Sequence, residues 1–371
     1  METKKYRFDE VTINFDKKRI PLSSAQREKR QGTFRYYGAQ GVIDHVDDYI
    51  FDGTYLLIAE DGENLKSKKQ NIAQVVDGQF WVNNHAHIVQ GNEQCDTRFL
   101  CYLINSMDLS GYVTGSAQPK LSQANLNAVT LSLPTLAEQK RIVEYLYMLD
   151  QKIDVNRQIN DNLQQQAAAL FSSLYDRSNT EVRFTDLIQI LGGGTPKTGE
   201  NTYWNGNIAF FTPKDVGTPY TLITEKTISK EGLSHCNSRL YPVNTVFVTA
   251  RGTVGKVGMS GVPMAMNQSC YALVGKETHQ LLVYFYTLKA VDRLKHKASG
   301  AVFDAITTRD FESEQIMKLS DDDATAFLRV AEPMFQEVLN NNIENLRLST
   351  LRDSLLPKLM SGEIDVSAVQ L

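Results

Sequence analysis

The feature that most constrains this chain is a self-match at a constant offset of 185 residues, half of its 371-residue length. A fixed internal period dictates architecture, because each copy has to fold into the same unit. At that offset Gly115 falls on Gly300, Leu121 on Ile306, Ser122 on Thr307 and Leu126 on Phe311. Thr135 falls on Ser320 and Glu138 on Asp323, so each copy carries the Ser/Thr-x-x-acid capping box that opens a helix. Beyond it Leu149 meets Met334, Ile153 meets Val338, Asn156 meets Asn341, Asn160 meets Asn345, Leu163 meets Leu348 and Leu170 meets Leu355. Each match alone is weak. Their coincidence at one offset predicts an internal duplication.

The same offset sets His85-Ala86-His87-Ile88-Val89 on Cys270-Tyr271-Ala272-Leu273-Val274, two stretches of strand character. The leading segments match at a different offset, 176, with Arg7-Phe8 on Arg183-Phe184. The copies therefore differ by insertions inside their domains.

After Thr135, apolar or Asn residues recur at Ile142, Leu146, Leu149, Ile153, Asn156, Asn160, Leu163, Ala167, Leu170 and Leu174. The steps alternate four and three, the average spacing of a coiled-coil seam. A continuous helix over these residues is roughly 60 Å long at 1.5 Å per residue, a rod able to space two domains. The second copy keeps the seam at Phe327, Ala331, Met334, Val338, Asn341, Asn345, Leu348, Leu355 and Leu359, and inserts Arg352. Pro333 within it predicts a kink or a break, since proline removes a backbone hydrogen bond and clashes with the preceding turn. Leu149, Ile153, Leu163, Met334, Val338 and Leu348 are the expected helix-to-helix contacts. Asn156, Asn160, Asn341 and Asn345 join them if the amides are buried and set the register; on a loosely amphipathic helix they would face solvent. Burial predicts that replacing Asn156 and Asn341 together with Leu raises thermal stability.

The expected fold class is α/β (α+β). Two globular domains, residues 1–134 and 179–319, are separated by two long antiparallel coiled-coil helices at 135–178 and 320–371, in a pseudo-two-fold duplication. A hydrophobic content of 42% is enough for two cores. Clear strands are expected at Tyr55-Leu56-Leu57-Ile58, His87-Ile88-Val89 and Thr245-Val246-Phe247-Val248-Thr249. The four cysteines show no metal or disulfide spacing and suit a reducing compartment. No run of about 18 apolar residues occurs and the N-terminus lacks an apolar leader, so no membrane partner and a cytoplasmic location are expected.

A net charge of −4 excludes a uniformly basic nucleic-acid binder, so any contact with DNA must use local basic surface. Lys17, Lys18, Arg19, Arg27, Lys29, Arg30 and Arg35 crowd a stretch whose acids are Asp16 and Glu28, and Lys66, Lys68 and Lys69 form a second group. Such runs are ordinarily solvated faces; phosphate contact is the functional alternative.

Catalytic motifs are missing. Gly192-Gly193-Gly194-Thr195-Pro196-Lys197 lacks the Gly-Lys-Ser/Thr of a phosphate-binding loop. Gly252, Gly255 and Gly258 miss the dinucleotide pattern and read as a glycine-punctuated hairpin. The six histidines form no zinc motif; His85 and His87 point to one face of a strand, where a structural role is the plainer reading than a shared ligand. No Asn-Pro-Pro-aromatic, Walker or Gly-x-Ser-x-Gly motif occurs, so any chemistry belongs to partners.

Longer motifs carry a resemblance. Gly193-Gly194-Thr195-Pro196, Tyr203-Trp204-Asn205-Gly206, Thr212-Pro213-Lys214-Asp215 and Ala250-Arg251-Gly252-Thr253-Val254-Gly255 resemble the target-recognition domain of type I restriction-modification specificity subunits. So do Gly115-Ser116-Ala117-Gln118-Pro119-Lys120-Leu121-Ser122, Glu138-Gln139-Lys140-Arg141-Ile142 and the stretch from Leu351 to Ile364. The first domain lacks a Gly-Gly-Thr-Pro-like opening and matches mainly through its exit.

The resemblance implies a non-catalytic subunit that binds a bipartite, asymmetric double-stranded DNA target, one half-site per domain. Its helices would set the unread spacer and dock two methyltransferase subunits, and motor-nuclease subunits would complete the complex. S-adenosylmethionine, ATP and Mg would sit on those partners and no cofactor on this chain. Arg251 and Lys256, beside glycines that permit close approach, are candidates for base or phosphate contact, with Thr195, Lys197, Lys214, Gln118 and Lys120. Tyr36-Tyr37 and Phe210-Phe211 read as strand core before stacking platforms. The rival readings are a single-chain nuclease or methyltransferase, and a coiled-coil adaptor that reads no DNA.

Overall fold

The computed structural model describes residues 2–67, 70–115, 118–217, 219–297 and 305–364. The chain forms two compact units, Met1–Gln151 with Leu348–Leu371, and Lys152–Arg347. Both are mixed α+β, and both contain a stretch of each long helix.

In the first unit an antiparallel pair, Lys4–Arg7 with Thr130–Leu133, closes the domain where the chain enters and leaves. One four-stranded sheet runs in the order Thr12–Asn14, Ala86–Gly91, Tyr55–Ala59, Ala73–Val76. A second runs Gly41–Val46, Gln31–Gly38, Gln79–Val82, Phe51–Asp52, its middle pair parallel. Tyr55–Ala59 is an interior strand covered on both faces, which is why its sequence is an unbroken apolar run without alternation. The helix Thr97–Ser106 follows the last sheet strand, and the Asp96 carboxylate accepts the Arg98 and Phe99 N–H groups at its start.

The second unit repeats this plan with changes at the sheet edges. Thr180–Arg183 pairs antiparallel with Gln315–Lys318. Ile188–Gly192, Cys270–Gly275, Val246–Thr249 and Val257–Ser260 follow in the order of the first sheet, with Tyr220–Thr221 added at the edge. Lys226–Ile228, Trp204–Phe211 and Met264–Met266 follow the order of the first three strands of the second sheet, with the last two again parallel. The hairpin read at the spaced glycines joins Val246–Thr249 to Val257–Ser260, and within it Gly252 and Gly255 take φ of +83° and +74°. Tyr36, Tyr37, Phe210 and Phe211 are all buried strand residues.

Hydrogen bonding corrects one alignment by a single residue. Ala59 pairs with Ala86 and Thr249 with Cys270, so the strands Ala86–Gly91 and Cys270–Gly275 lie 184 positions apart and Ala86, not His85, matches Cys270. One residue matters in a strand, because it exchanges the two faces. At the domain exits the offset of 185 holds: Ser122 and Thr307 are both N-caps, and the residues around them, Leu121 with Ile306 and Leu126 with Phe311, are fully buried.

The long helices span Leu136–Asp176 and Asp321–Ser361, 41 residues each. Thr135 and Glu138 form the first capping box, with the Thr135 N–H donating to Glu138 Oε2 at 2.9 Å. At the second helix the Asp323 N–H donates to Ser320 Oγ at 3.1 Å. Of the kink or break expected at Pro333, the break does not occur: helix Asp321–Ser361 runs on through it. Pro333 and Arg329, whose carbonyl loses its partner, are both exposed residues, while buried Ala331 and Phe335 hold the helix on either side. Water can satisfy the freed carbonyl, so the penalty stays local.

Within the second unit the helices pair antiparallel through amides. Asn341 Nδ2 donates to Asn160 Oδ1 at 2.9 Å, and Asn156 Nδ2 donates to Asn345 Oδ1 at 3.0 Å and Glu344 Oε2 at 2.7 Å. Asn160 Nδ2 donates to Asn342 Oδ1 at 3.0 Å. The Asn160–Asn341 and Asn156–Asn345 pairs are images of each other under the 185-residue repeat, as a two-fold relation requires. Ile153, Asn156, Asn160, Val338 and Asn341 are buried; Leu149, Leu163, Met334, Asn345 and Leu348 are partly covered. In the first unit Ile142, Val143 and Leu146 share a core with Leu359, and inserted Arg352 donates to Asp150 at 2.6 Å, which also accepts the Tyr102 hydroxyl. Buried Gln139 fastens the helix start by donating to the Gln94 and Pro134 carbonyls and accepting the Asp96 N–H.

Candidate nucleic-acid interface

In the second unit four loops are tied together beside the strand ends. The Gly194 N–H donates to the Met266 carbonyl at 3.1 Å, the Asn267 N–H to the Phe211 carbonyl at 3.0 Å, and the Ala250 N–H to the Ser269 carbonyl at 2.8 Å. The Thr253 hydroxyl donates to the Pro213 carbonyl at 3.2 Å. Glycine is needed for this closure: a Cβ on Gly193 would lie 2.1 Å from the Asn267 carbonyl oxygen. Asp215 rigidifies its own turn by accepting the Thr212 N–H and hydroxyl at 2.8 and 2.6 Å and the Glu225 N–H at 2.7 Å. Thr195, Lys197, Lys214, Arg251, Lys256 and Gln268 are exposed on these loops, and the Thr195 hydroxyl donates to Gln268 Oε1. The Lys214 side chain is 81% exposed with Glu225 3.9 Å away, leaving its ammonium open to an anion.

The first unit builds the same place with different chemistry. Its Asn83 N–H donates to the Tyr37 carbonyl at 3.0 Å and its Glu60 N–H to the His85 carbonyl at 2.9 Å, the counterparts of the Asn267 and Ala250 bonds. Asp61 bridges Lys120 where Arg251 bridges Ala305, so the charge at that position is reversed. The Gly-Gly-Thr loop is replaced by Lys17-Lys18-Arg19, and a buried ionic network does the fastening. His87 Nδ1 lies 2.6 Å from Asp16 Oδ2 and Nε2 lies 2.8 Å from the Leu121 carbonyl. Both ring nitrogens face acceptors, the arrangement of an imidazolium. Burial opposes its charge, yet Asp16, the Leu121 carbonyl and Glu60 together hold the His87 pKa above the ordinary histidine value. Burial likewise opposes ionisation of Asp16; the His87 hydrogen bond, the Ile88 N–H and Arg19 outweigh it and lower its pKa. Arg19 completes the network by donating to Glu60 at 2.9 Å and to the Ala86 and Asn84 carbonyls at 2.9 and 3.3 Å.

Arg27 donates to Asp44 at 2.8 Å and lies over the Tyr36 ring; Arg30 donates to Asp47 at 2.9 Å and lies over Trp81. Arg35 donates to the Asp77 carbonyl at 2.7 Å, and Lys66 to the Gly115 carbonyl at 2.8 Å. Lys17, Lys18 and Lys29 are exposed, as is Gln118, and Lys120 lies 3.2 Å from Glu60. Lys68 and Lys69, with Ser116, Ala117 and Gly300, fall outside the described residues. His85 and His87 do not share a ligand: exposed His85 lies 2.5 Å from Asp61 and His87 is committed to Asp16. Asp16, Glu60, Asn84 and Gln268 were not singled out by sequence; for Asn84 and Gln268 the signal was the match of Asn83 with Asn267 at an offset of 184.

Among the described residues no group of three or more His, Cys, Asp or Glu is placed to hold a metal, and no helix is long and apolar enough to cross a membrane. The profile of the type I restriction modification DNA specificity domain matches residues 2–165 and 177–318. A type I restriction enzyme specificity subunit of Haemophilus influenzae is 36% identical over 138 residues, which cover 37% of this chain and 35% of that one. The HindI specificity subunit of the same organism is 24% identical over 402 aligned residues, covering 84% of each chain. Among solved structures, the type I restriction-modification S subunit of M. genitalium superposes with a TM-score of 0.63 at 13% identity, over 97% of this chain and 96% of that one, a likeness of fold.

Proposed function

The chain belongs to the type I restriction modification DNA specificity family, and on that premise we propose that each of its halves reads one half of a bipartite, asymmetric double-stranded DNA target. The observation that carries the reading is the contrast between conserved scaffold and altered loops. Strand order, parallel pair and closing bonds repeat, while Asp61 stands for Arg251 and Lys17-Lys18-Arg19 for Gly193-Gly194-Thr195. Equal scaffolds with unequal contact chemistry suit two different half-sites.

Exposed Lys17, Lys18, Lys29, Lys197, Lys214, Arg251 and Lys256 supply phosphate contacts. Arg19, Arg27 and Arg30 act by shaping the first unit's loops. The long helices set the unread spacer and offer two related faces to two methyltransferase subunits, which motor-nuclease subunits join in the cytoplasm. The specificity subunit is non-catalytic; S-adenosylmethionine, ATP and Mg are held by the partners. The test is binding-site selection from randomised duplex DNA by the chain assembled with its methyltransferase subunits. A two-part motif with an unconstrained spacer is expected; recovery of unselected sequence would overturn the reading and leave a helical adaptor.

A further inference from the structure

The register of the two domains places two exposed amides on equivalent turns. Asn83-Asn84-His85 and Asn267-Gln268-Ser269 each follow the strand that pairs parallel with Gln31–Gly38 or Trp204–Phe211. In both, the first asparagine turns the backbone on itself: Asn83 Oδ1 accepts the His85 N–H at 2.8 Å, and Asn267 Oδ1 accepts the Ser269 N–H at 3.0 Å. Its own N–H is tied to the parallel strand, at 3.0 Å in each half. The side chain between, Asn84 or Gln268, is exposed in both turns.

Resting on the reading of this chain as a DNA-recognition subunit, we propose that Gln268 and Asn84 are base-reading residues, one per half-site, each directed at a base edge that offers an acceptor beside a donor, the pattern of adenine N7 and N6 in the major groove. Turn geometry requires no amide at this position, yet both halves have one, while on the adjoining loops Asp61 stands for Arg251 and Lys17-Lys18 for Gly193-Gly194. A primary amide carries a donor and an acceptor side by side, the complement of that edge. Gln268 is also aimed: the Thr195 hydroxyl donates to its Oε1, leaving one lone pair and both Nε2 hydrogens available. Beside it the Arg251 N–H donates to the Ser269 carbonyl at 3.3 Å, so exposed Arg251 adjoins the same turn. In the first half Arg19 donates to the Asn84 carbonyl and fixes the turn from behind, with Lys17 and Lys18 exposed on the adjoining loop.

The experiment is binding-site selection and competition with the chain assembled with its methyltransferase subunits, comparing wild type, Gln268→Ala, Asn84→Ala and Gln268→Glu. Gln268→Ala is expected to relax one position of one half-site by about 5- to 150-fold in the specificity ratio, leaving the other half-site, non-specific affinity and salt slope unchanged. Asn84→Ala should do the same in the opposite half. Gln268→Glu, which exchanges donors for acceptors, should move the preference at that position from adenine toward cytosine. An unchanged motif in the variants, or a uniform loss of affinity with a reduced salt slope, overturns the assignment and leaves DNA recognition standing. Absence of any motif in the wild type overturns the parent reading with it.

Discussion

Replacing Asn160 and Asn341 with Leu, singly and together, measures what the buried amide pair contributes. The Asn341 Nδ2 to Asn160 Oδ1 bond is 2.9 Å long, and the two residues are 6% and 4% exposed. Asn341→Leu strands the Asn160 oxygen and Asn160→Leu strands the Asn341 donor. Each single change should cost about 1–3 kcal/mol, the desolvation penalty of an unmatched buried polar group. The double change removes both ends and adds apolar surface, so it should fall near or above the wild type. At about 2–4 °C per kcal/mol for a unit of this size, the singles should melt roughly 2–12 °C low and the double within a few degrees of wild type or higher. Calorimetry of the four proteins gives the coupling directly. A double mutant that loses the sum of the singles would refute the pairing. The structure also reverses the sign expected for Asn156 with Asn341: these are repeat equivalents and not partners, so changing both strands Asn160 and lowers the melting temperature.

The His87–Asp16 pair predicts a stability window. With His87 raised and Asp16 lowered, its contribution is complete from above the ordinary carboxylate value to below the ordinary histidine value. It is lost on the acid side as pH falls through the Asp16 value, and on the alkaline side as pH rises through the His87 value. His87→Gln should cost about 3–5 kcal/mol near neutrality and flatten the alkaline decline in urea titrations; an unchanged pH profile would contradict a charged His87. Gly193→Ala should disrupt the second half alone, because its Cβ would meet the Asn267 and Met266 carbonyl oxygens at 2.1 and 2.7 Å. Site selection should then show that half-site degraded and the other intact, and an intact motif would show that the glycine loop does not support reading.

Much of the scaffold was legible because it depends on local pattern. The seam from Ile142 to Leu174 follows from spacing, the helix starts from Thr135-x-x-Glu138 and Ser320-x-x-Asp323, and the interior strands from unbroken apolar runs. The tolerance of Pro333 was not legible, since it depends on which face of the helix meets solvent. Contact chemistry was less legible still. Arg27 and Arg30 look free in sequence, and only folding brings Asp44 and Asp47 to them. The role of Asp16 depends on His87, 71 residues away, and the equivalence of Asn84 with Gln268 on a strand register that the helical offset misses by one residue.

The most direct measurement maps methylated adenines genome-wide in cells that carry the chain, lack it, or carry it with residues 180–319 exchanged for those of a relative with a different target. Two domains that read separate half-sites require a bipartite motif that disappears on deletion and changes in one half after the exchange. A methylome unaffected by deletion, or a motif altered in both halves by the exchange, would contradict it.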